Sequence, residues 1–209
     1  MSAPEAGGAL PLFPLRLVLF PGALLNLRVF EARYLDLVSE RLRTRQPFGV
    51  VCLQAGAEAG RTRTPVAMES VGVLAHIDAV DAEEAGILRL RCTGGQRFRI
   101  EAPPEQQPDG LWVAPQVALL PADTARQPGP AVLQTVAALA EAIKKLVADE
   151  RCPFLEPYRL DDAGWVANRW CELLPVPQAA KQKLMELDDP VIRLSIVDGY
   201  LRDKKVVFG

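Results

Sequence analysis

The chain has 209 residues, with 24 Lys+Arg against 26 Asp+Glu, 49% hydrophobic and 24% charged residues, four Cys and one His. That length and apolar fraction can bury a full core, and a net charge of -2 repels itself only weakly, which excludes disordered, collagen-like and disulfide-scaffold classes. The near-neutral balance also excludes a surface built throughout for phosphate backbones, while leaving room for a local basic face.

The first apolar stretch, Ala6 to Leu27, carries only Arg16 as a charge and on length alone imitates a membrane helix. Pro11, Pro14 and Pro21 break it, because each removes a backbone donor and blocks a helical turn, so it reads as a buried strand running into a loop. Short β-rich runs then predict strands at Leu12–Phe20, Phe48–Leu53, Val71–Val80, Ile87–Cys92, Gln96–Ile100 and Leu111–Leu120. One helix interrupts them at about Phe30–Arg43, where Phe30, Tyr34, Leu37 or Val38, and Leu42 recur at helical spacing. Six short strands with one early helix predict a small, partly closed barrel.

Binary pattern assigns a register to one hairpin of that barrel. A three-residue loop, Thr93-Gly94-Gly95 with Gly95 at positive φ, pairs Arg91 with Arg97, Leu90 with Phe98, Arg89 with Arg99 and Leu88 with Ile100. Four arginines, Arg89, Arg91, Arg97 and Arg99, then share one face. Like charges opposite one another cost on the order of a few tenths to 1 kcal/mol per pair, so Asp78, Asp81, Glu83 and Glu84 are expected to compensate them. The alternative is an anion or nucleic-acid face, since arginine forks match phosphate, although the hairpin sets no aromatic beside them for a base to stack on.

Beyond the Pro-rich, polar segment Pro121–Pro130 the apolar period becomes helical. Val132, Val136, Leu139, Ile143 and Leu146 mark a first amphipathic helix, Asp162 to Leu174 a second, and Pro177 through Leu187 a third. In the fourth, Asp189 caps, Pro190 takes the first turn, and Val191, Leu194, Val197 and Leu201 share a face. The organisation expected is α+β: a barrel subdomain over residues 1–122 and a helical bundle over 123–209, together one unit.

Most catalytic templates lack parts. There is no P-loop, no G-x-G-x-x-G opening a helix and no G-x-S-x-G, and a Ser-His-Asp triad would have to route through His76 alone. His76 and Asp78 alternate onto one strand face, where polar decoration of a barrel is the favoured reading over a base or a metal ligand. Cys52, Cys92, Cys152 and Cys171 lie far apart, so a zinc site would need isolated residues to converge; neither a metal nor a cofactor is expected. Glu83-Glu84, Asp161-Asp162 and Asp188-Asp189 suit turns and caps, and Trp112, Trp165 and Trp170 suit core or interface anchoring. Unpaired cysteines and an N-terminus without a basic signal region point to a cytosolic protein.

The run Leu10-Pro-Leu-Phe-Pro-Leu-Arg-Leu-Val-Leu-Phe-Pro-Gly22, followed by Leu27-Arg-Val-Phe-Glu-Ala-Arg-Tyr34, resembles the signature of the Lon protease N-terminal domain family. Phe48-Gly-Val-Val51, Val71-Gly72, Gly95-Gln-Arg-Phe-Arg99, Ala180-Lys-Gln-Lys-Leu-Met-Glu-Leu187 and a final arginine-bearing helix follow in order, covering about Leu10 to Leu201. The resemblance implies a PUA-like β-barrel followed by a helical bundle, and binding of unfolded or tagged polypeptides or a partner protein through apolar surface. The chain stops at Gly209 without nucleotide or protease motifs, so a standalone, non-catalytic member is expected and proteolysis is not carried over. Arg28, Phe30, Glu31, Arg33 and Tyr34 are the candidate binding residues. Phe13, Phe20, Phe30 and Tyr34 are expected chiefly to build the core, and Arg28 and Glu31 to pair if the helix begins early. Two other readings stand beside this one: an RNA-binding module using the arginine face, and an enzyme built on His76 or a cysteine.

Overall fold

The structure is a computed structural model that describes residues 9–55, 66–84 and 86–207. They fall into two compact units, the first ending at Pro121 and the second beginning at Ala122. No helix among the described residues is long and apolar enough to cross a membrane.

The first unit is built on a mixed sheet. Its strands are β1 (Leu10–Leu15), β2 (Leu24–Val29), β3 (Phe48–Ala55), β4 (Ala67–Met68), β5 (Val71–Glu84), β6 (Ile87–Ile100), β7 (Glu105–Gln106), β8 (Trp112–Ala114) and β9 (Val117–Leu119). Helix α1 (Ala32–Thr44) lies between β2 and β3 in sequence. β1 is buried along its whole length, runs parallel to β3 and antiparallel to β8, and tolerates Pro11 and Pro14 within it. Leu10, Leu12, Val51, Leu74, Phe98 and Ala114 form a core cluster, with Trp112 and Ile100 packed against it. Phe98 occupies space that Gly49 and Gly72 leave open, since a Cβ on either would come within 2.7 Å of its ring. On the α1 side, Phe13 stacks on Tyr34 at 3.9 Å between ring centroids.

Two expectations about this sheet need correction. The hydrogen-bonded path runs β2-β6-β5-β3-β1-β8-β7, with β4 on β3 and β9 on β6, and is open between β2 and β7, so the barrel is not closed. The other concerns the arginine hairpin. Residues 87–100 are one continuous strand paired with β5, and the chain reverses near Gly86, which has a φ of 82°. Gly94 and Gly95 lie inside that strand and neither has positive φ.

Their small size has another cause. Gly94 crosses the loop that follows β1 at contact distance: Gly22 N donates to Gly94 O at 2.7 Å and Gly94 N donates to Ala23 O at 2.9 Å. A Cβ on Gly94 would lie 2.3 Å from the Phe20 carbonyl oxygen, and one on Gly95 would lie 2.6 Å from His76 Nε2. The glycines mark close approaches, as they often do within strands. The strand Leu24–Val29 was also not anticipated; there Leu25 and Val29 are buried while Asn26 and Arg28 face solvent.

The second unit is helical. A 3-10 turn (Pro130–Val132) leads into α2 (Leu133–Ala148), followed by α3 (Ala163–Leu173), α4 (Gln178–Glu186) and α5 (Pro190–Asp203). Each matches a helix expected from the sequence to within a few residues. Helix α3 is in contact with α2, α4 and α5, and most of its residues are buried. Asp162 accepts from Gly164 N at 2.9 Å and caps α3; Asp189 accepts from Val191 N at 2.8 Å and caps α5, with Pro190 in the first turn as the sequence predicts. One network joins three helices. Thr135 Oγ1 donates to Asp198 Oδ1 at 2.6 Å, Trp170 Nε1 donates to Thr135 O at 3.1 Å, and Arg202 Nε donates to Asp198 Oδ2 at 2.7 Å.

Candidate functional site

The corner between β2 and α1 carries the residues singled out from the sequence, and the structure gives them unlike roles. Tyr34 is core, stacked on Phe13. Arg33 lies over the Tyr34 ring, donates from Nη1 to Gly110 O at 2.7 Å and from Nη2 to Glu31 Oε2 at 2.9 Å, and so ties the turn before β8 to the start of α1. The helix begins at Ala32, with Glu31 at its cap position, so the early start that an Arg28–Glu31 helical pair required is not found. Arg28 lies in β2, exposed, as the cross-strand neighbour of Arg89. Phe30 is 57% exposed and Leu42 47%, which corrects the expectation that both face the core. Phe30 is thus an exposed apolar residue at this corner.

The arginine face does not assemble as the hairpin predicted. Between Gly94 and Arg97, β6 carries one residue more than β5, a bulge in the ladder. Arg97 is 3% exposed and donates from Nη2 to Pro121 O at 3.2 Å. Arg89, Arg91 and Arg99 are exposed, and Arg89 sits between Arg28 and Asp81 on the neighbouring strands. Asp78 is taken by Thr93, whose Oγ1 donates to Oδ2 at 2.6 Å. Glu84 pairs across from Ile87, and the Glu83 side chain lies outside the described residues. A continuous four-arginine surface is therefore replaced by three exposed arginines, one of them flanked by an acid.

The reactive residue types are scattered. His76 is half-buried against Gly95, and burial lowers its pKa against the opposing pull of Asp78. Burial pushes the Cys92 and Cys171 thiols up to about 12, far from a reactive thiolate at neutral pH. Among the described residues, no three His, Cys, Asp or Glu side chains converge as metal ligands.

A concavity lies in the helical unit, away from all of these residues in sequence. A groove of about 640 Å³ is lined by Leu174 and Val176, by Ala180, Lys183, Leu184, Glu186 and Leu187 of α4 and the turn after it, and by Ile196, Val197 and Tyr200 of α5. Its lining is apolar except for Lys183 and Glu186, which pair with each other at 3.1 Å, and the Tyr200 hydroxyl. Sequence reasoning did not find it, although a signal was present. Helix α5 is apolar on two faces: Leu194, Val197 and Leu201 are buried, while Ile192 (53%) and Ile196 (49%) face outward at a spacing of four residues. Apolar residues exposed away from a helix's buried face ask for a second partner surface.

Comparison with known proteins places this architecture. The model of the ATP-dependent protease La (LON) substrate-binding domain matches residues 9–203. The chain belongs to the Lon substrate-binding domain family. It is 32% identical over 195 residues to the Lon protease of Paraburkholderia phytofirmans, an alignment that takes in 89% of this chain and 23% of that protein. A Lon N-terminal domain protein from Xanthomonas campestris has the same fold with a TM-score of 0.73 and 32% identity, over 92% of this chain and 98% of that one. The N-terminal domain of the Mycobacterium avium complex Lon protease, 20% identical with a TM-score of 0.61 over 93% of this chain and 98% of that one, shares the fold. The Lon signature read from Leu10–Gly22 and Leu27–Tyr34 lies in β1, the crossing loop, β2 and the start of α1. Within it Phe13, Phe20 and Tyr34 are buried, whereas Arg16, Arg28, Phe30 and Ala32 are exposed.

Proposed function

We propose that the chain recognises unfolded or tagged polypeptides and that the groove between α4 and α5 receives their apolar side chains. Membership of a substrate-binding family supplies the class of ligand, and the groove carries the assignment to a surface. Its walls are preformed by two helices. Each aliphatic or aromatic side chain that leaves water there contributes about 1.5–3 kcal/mol, enough for a weak, sequence-tolerant site. In this reading the sheet unit is a PUA-like open barrel, the helical unit is a bundle that bears the site, Phe30 adds a second apolar contact, and the protein works in the cytosol with its thiols reduced.

Fluorescence anisotropy with labelled, reduced and carboxymethylated lactalbumin, a permanently unfolded polypeptide, tests this reading. Leu184→Glu places a charge in the groove wall and should weaken binding at least tenfold, whereas His76→Ala should leave it unchanged. Equal affinity for wild type and Leu184→Glu would remove the groove from the reading.

A further inference from the structure

We propose that Arg193 is the positioning residue of the groove, fixing the α4 wall at the spacing that admits a substrate side chain. The proposal rests on the groove being the binding surface. Arg193 belongs to α5 and is 1% exposed. Its Nε donates to Leu184 O at 2.9 Å, and Nη2 donates to Leu187 O and to Asp123 Oδ1 at 3.2 Å. Nη1 donates to Asp123 Oδ2 at 2.5 Å and to Asn168 Oδ1 at 3.0 Å. Leu184 and Leu187 are two of the residues that line the groove from the α4 side, and α5 supplies Ile196, Val197 and Tyr200.

One guanidinium therefore links both walls, binding the carbonyls at the end of α4 from a side chain rooted in α5. Leu184 O also accepts from Leu187 N at 3.3 Å, and Leu187 is the residue just past the helix, so Arg193 binds the stretch where α4 ends. The planar fork holds its acceptors at fixed relative positions, which a point-charge ammonium does not do. A buried ion pair is also a poor source of net stability compared with apolar packing of the same volume, so its use here is better explained by the position it specifies. Asp123 supplies the counter-charge and Asn168 of α3 orients the fork.

The test uses the full chain and labelled, carboxymethylated lactalbumin, at a temperature where circular dichroism shows every variant folded. Arg193→Met should raise the Kd at least tenfold, and Arg193→Lys, which keeps the charge but not the fork, should fall between it and wild type. Asp123→Asn keeps the shape and removes the counter-charge; it should weaken binding severalfold, and it serves as the decisive variant where Arg193→Met does not fold. Leu139→Ala removes buried volume on α2 without touching the groove lining, so it should lower the melting temperature and leave Kd unchanged. Folded Arg193 and Asp123 variants that bind like wild type, or a Leu139→Ala variant that loses as much affinity as they do, would overturn the proposal. If wild type fails to bind, or Leu184→Glu binds as well as wild type, the groove reading itself fails and the positioning role goes with it.

Discussion

Replacing Gly94 by alanine separates a strand that crosses a loop from a hairpin tip. The added Cβ would lie 2.3 Å from the Phe20 carbonyl oxygen and 3.3 Å from Leu19 Cγ. The obstacle at 2.3 Å is backbone, so the loop itself must retreat by about 1 Å to reach an ordinary van der Waals separation. That movement stretches the two bonds that fasten the loop, Gly22 N to Gly94 O and Gly94 N to Ala23 O. Losing two backbone hydrogen bonds at about 1 kcal/mol each, with about 1–3 kcal/mol of overpacking strain, gives a destabilisation of about 3–5 kcal/mol.

Urea unfolding followed by far-ultraviolet circular dichroism measures this loss. Two companion variants sharpen it. Gly95→Ala meets the movable His76 ring at 2.6 Å and the Leu74 carbonyl oxygen only at an ordinary 3.4 Å and should cost about 1 kcal/mol, whereas Gly199→Ala, in α5 with open space around its Cβ, should stabilise by up to about 1 kcal/mol. A Gly94→Ala variant within about 1 kcal/mol of wild type would refute the crossing and restore a solvent-exposed turn.

The Asp198 carboxyl is pushed up by burial, but the hydrogen bonds from Arg202 and Thr135 outweigh that and hold it below its ordinary value of 3.8. Its contribution to stability is therefore present above pH 3.8 and lost as pH falls through the lower folded value; Asp198→Asn should remove that acid-limb dependence and cost about 1–3 kcal/mol at neutral pH, measured by thermal melts across pH. Cys152 is the thiol left partly accessible, so native-state labelling should modify it first and reach Cys52, Cys92 and Cys171 only on unfolding; fast native labelling of Cys171 would contradict its burial in α3. Phe30→Ser removes an exposed side chain and should shift stability by less than about 0.5 kcal/mol. It should weaken polypeptide binding if the β2–α1 corner contributes, and an unchanged Kd would confine recognition to the helical unit.

The helices were legible because burial on one side imposes a 3.6-residue period, and because Asp189-Pro190 is a start signal that acts through local backbone geometry. The β6 strand was misread for an equally physical reason. Thr93-Gly94-Gly95 has turn chemistry, and a pattern of alternating faces survives whether the chain folds back there or runs straight on. What decided the matter was a non-local contact, the Phe20 carbonyl against Gly94, which no local pattern records. Arg97, one arginine of the four, is buried where it meets the Pro121 carbonyl, another contact that no local pattern records. Phe30 fitted a helical stripe in the sequence, yet α1 starts two residues later and leaves it outside the buried face. The groove was hidden because its lining comes from two helices and the segment before α4, although the outward Ile192 and Ile196 announced an unfilled surface.

Photocrosslinking tests the central claim most directly. A benzophenone group placed at position 196, in the groove, should crosslink to carboxymethylated lactalbumin, and unlabelled lactalbumin should compete it away. The same group at position 133, an exposed apolar residue of α2 outside the groove, should give little product. Equal crosslinking from both positions, or from neither, would contradict a polypeptide site between α4 and α5.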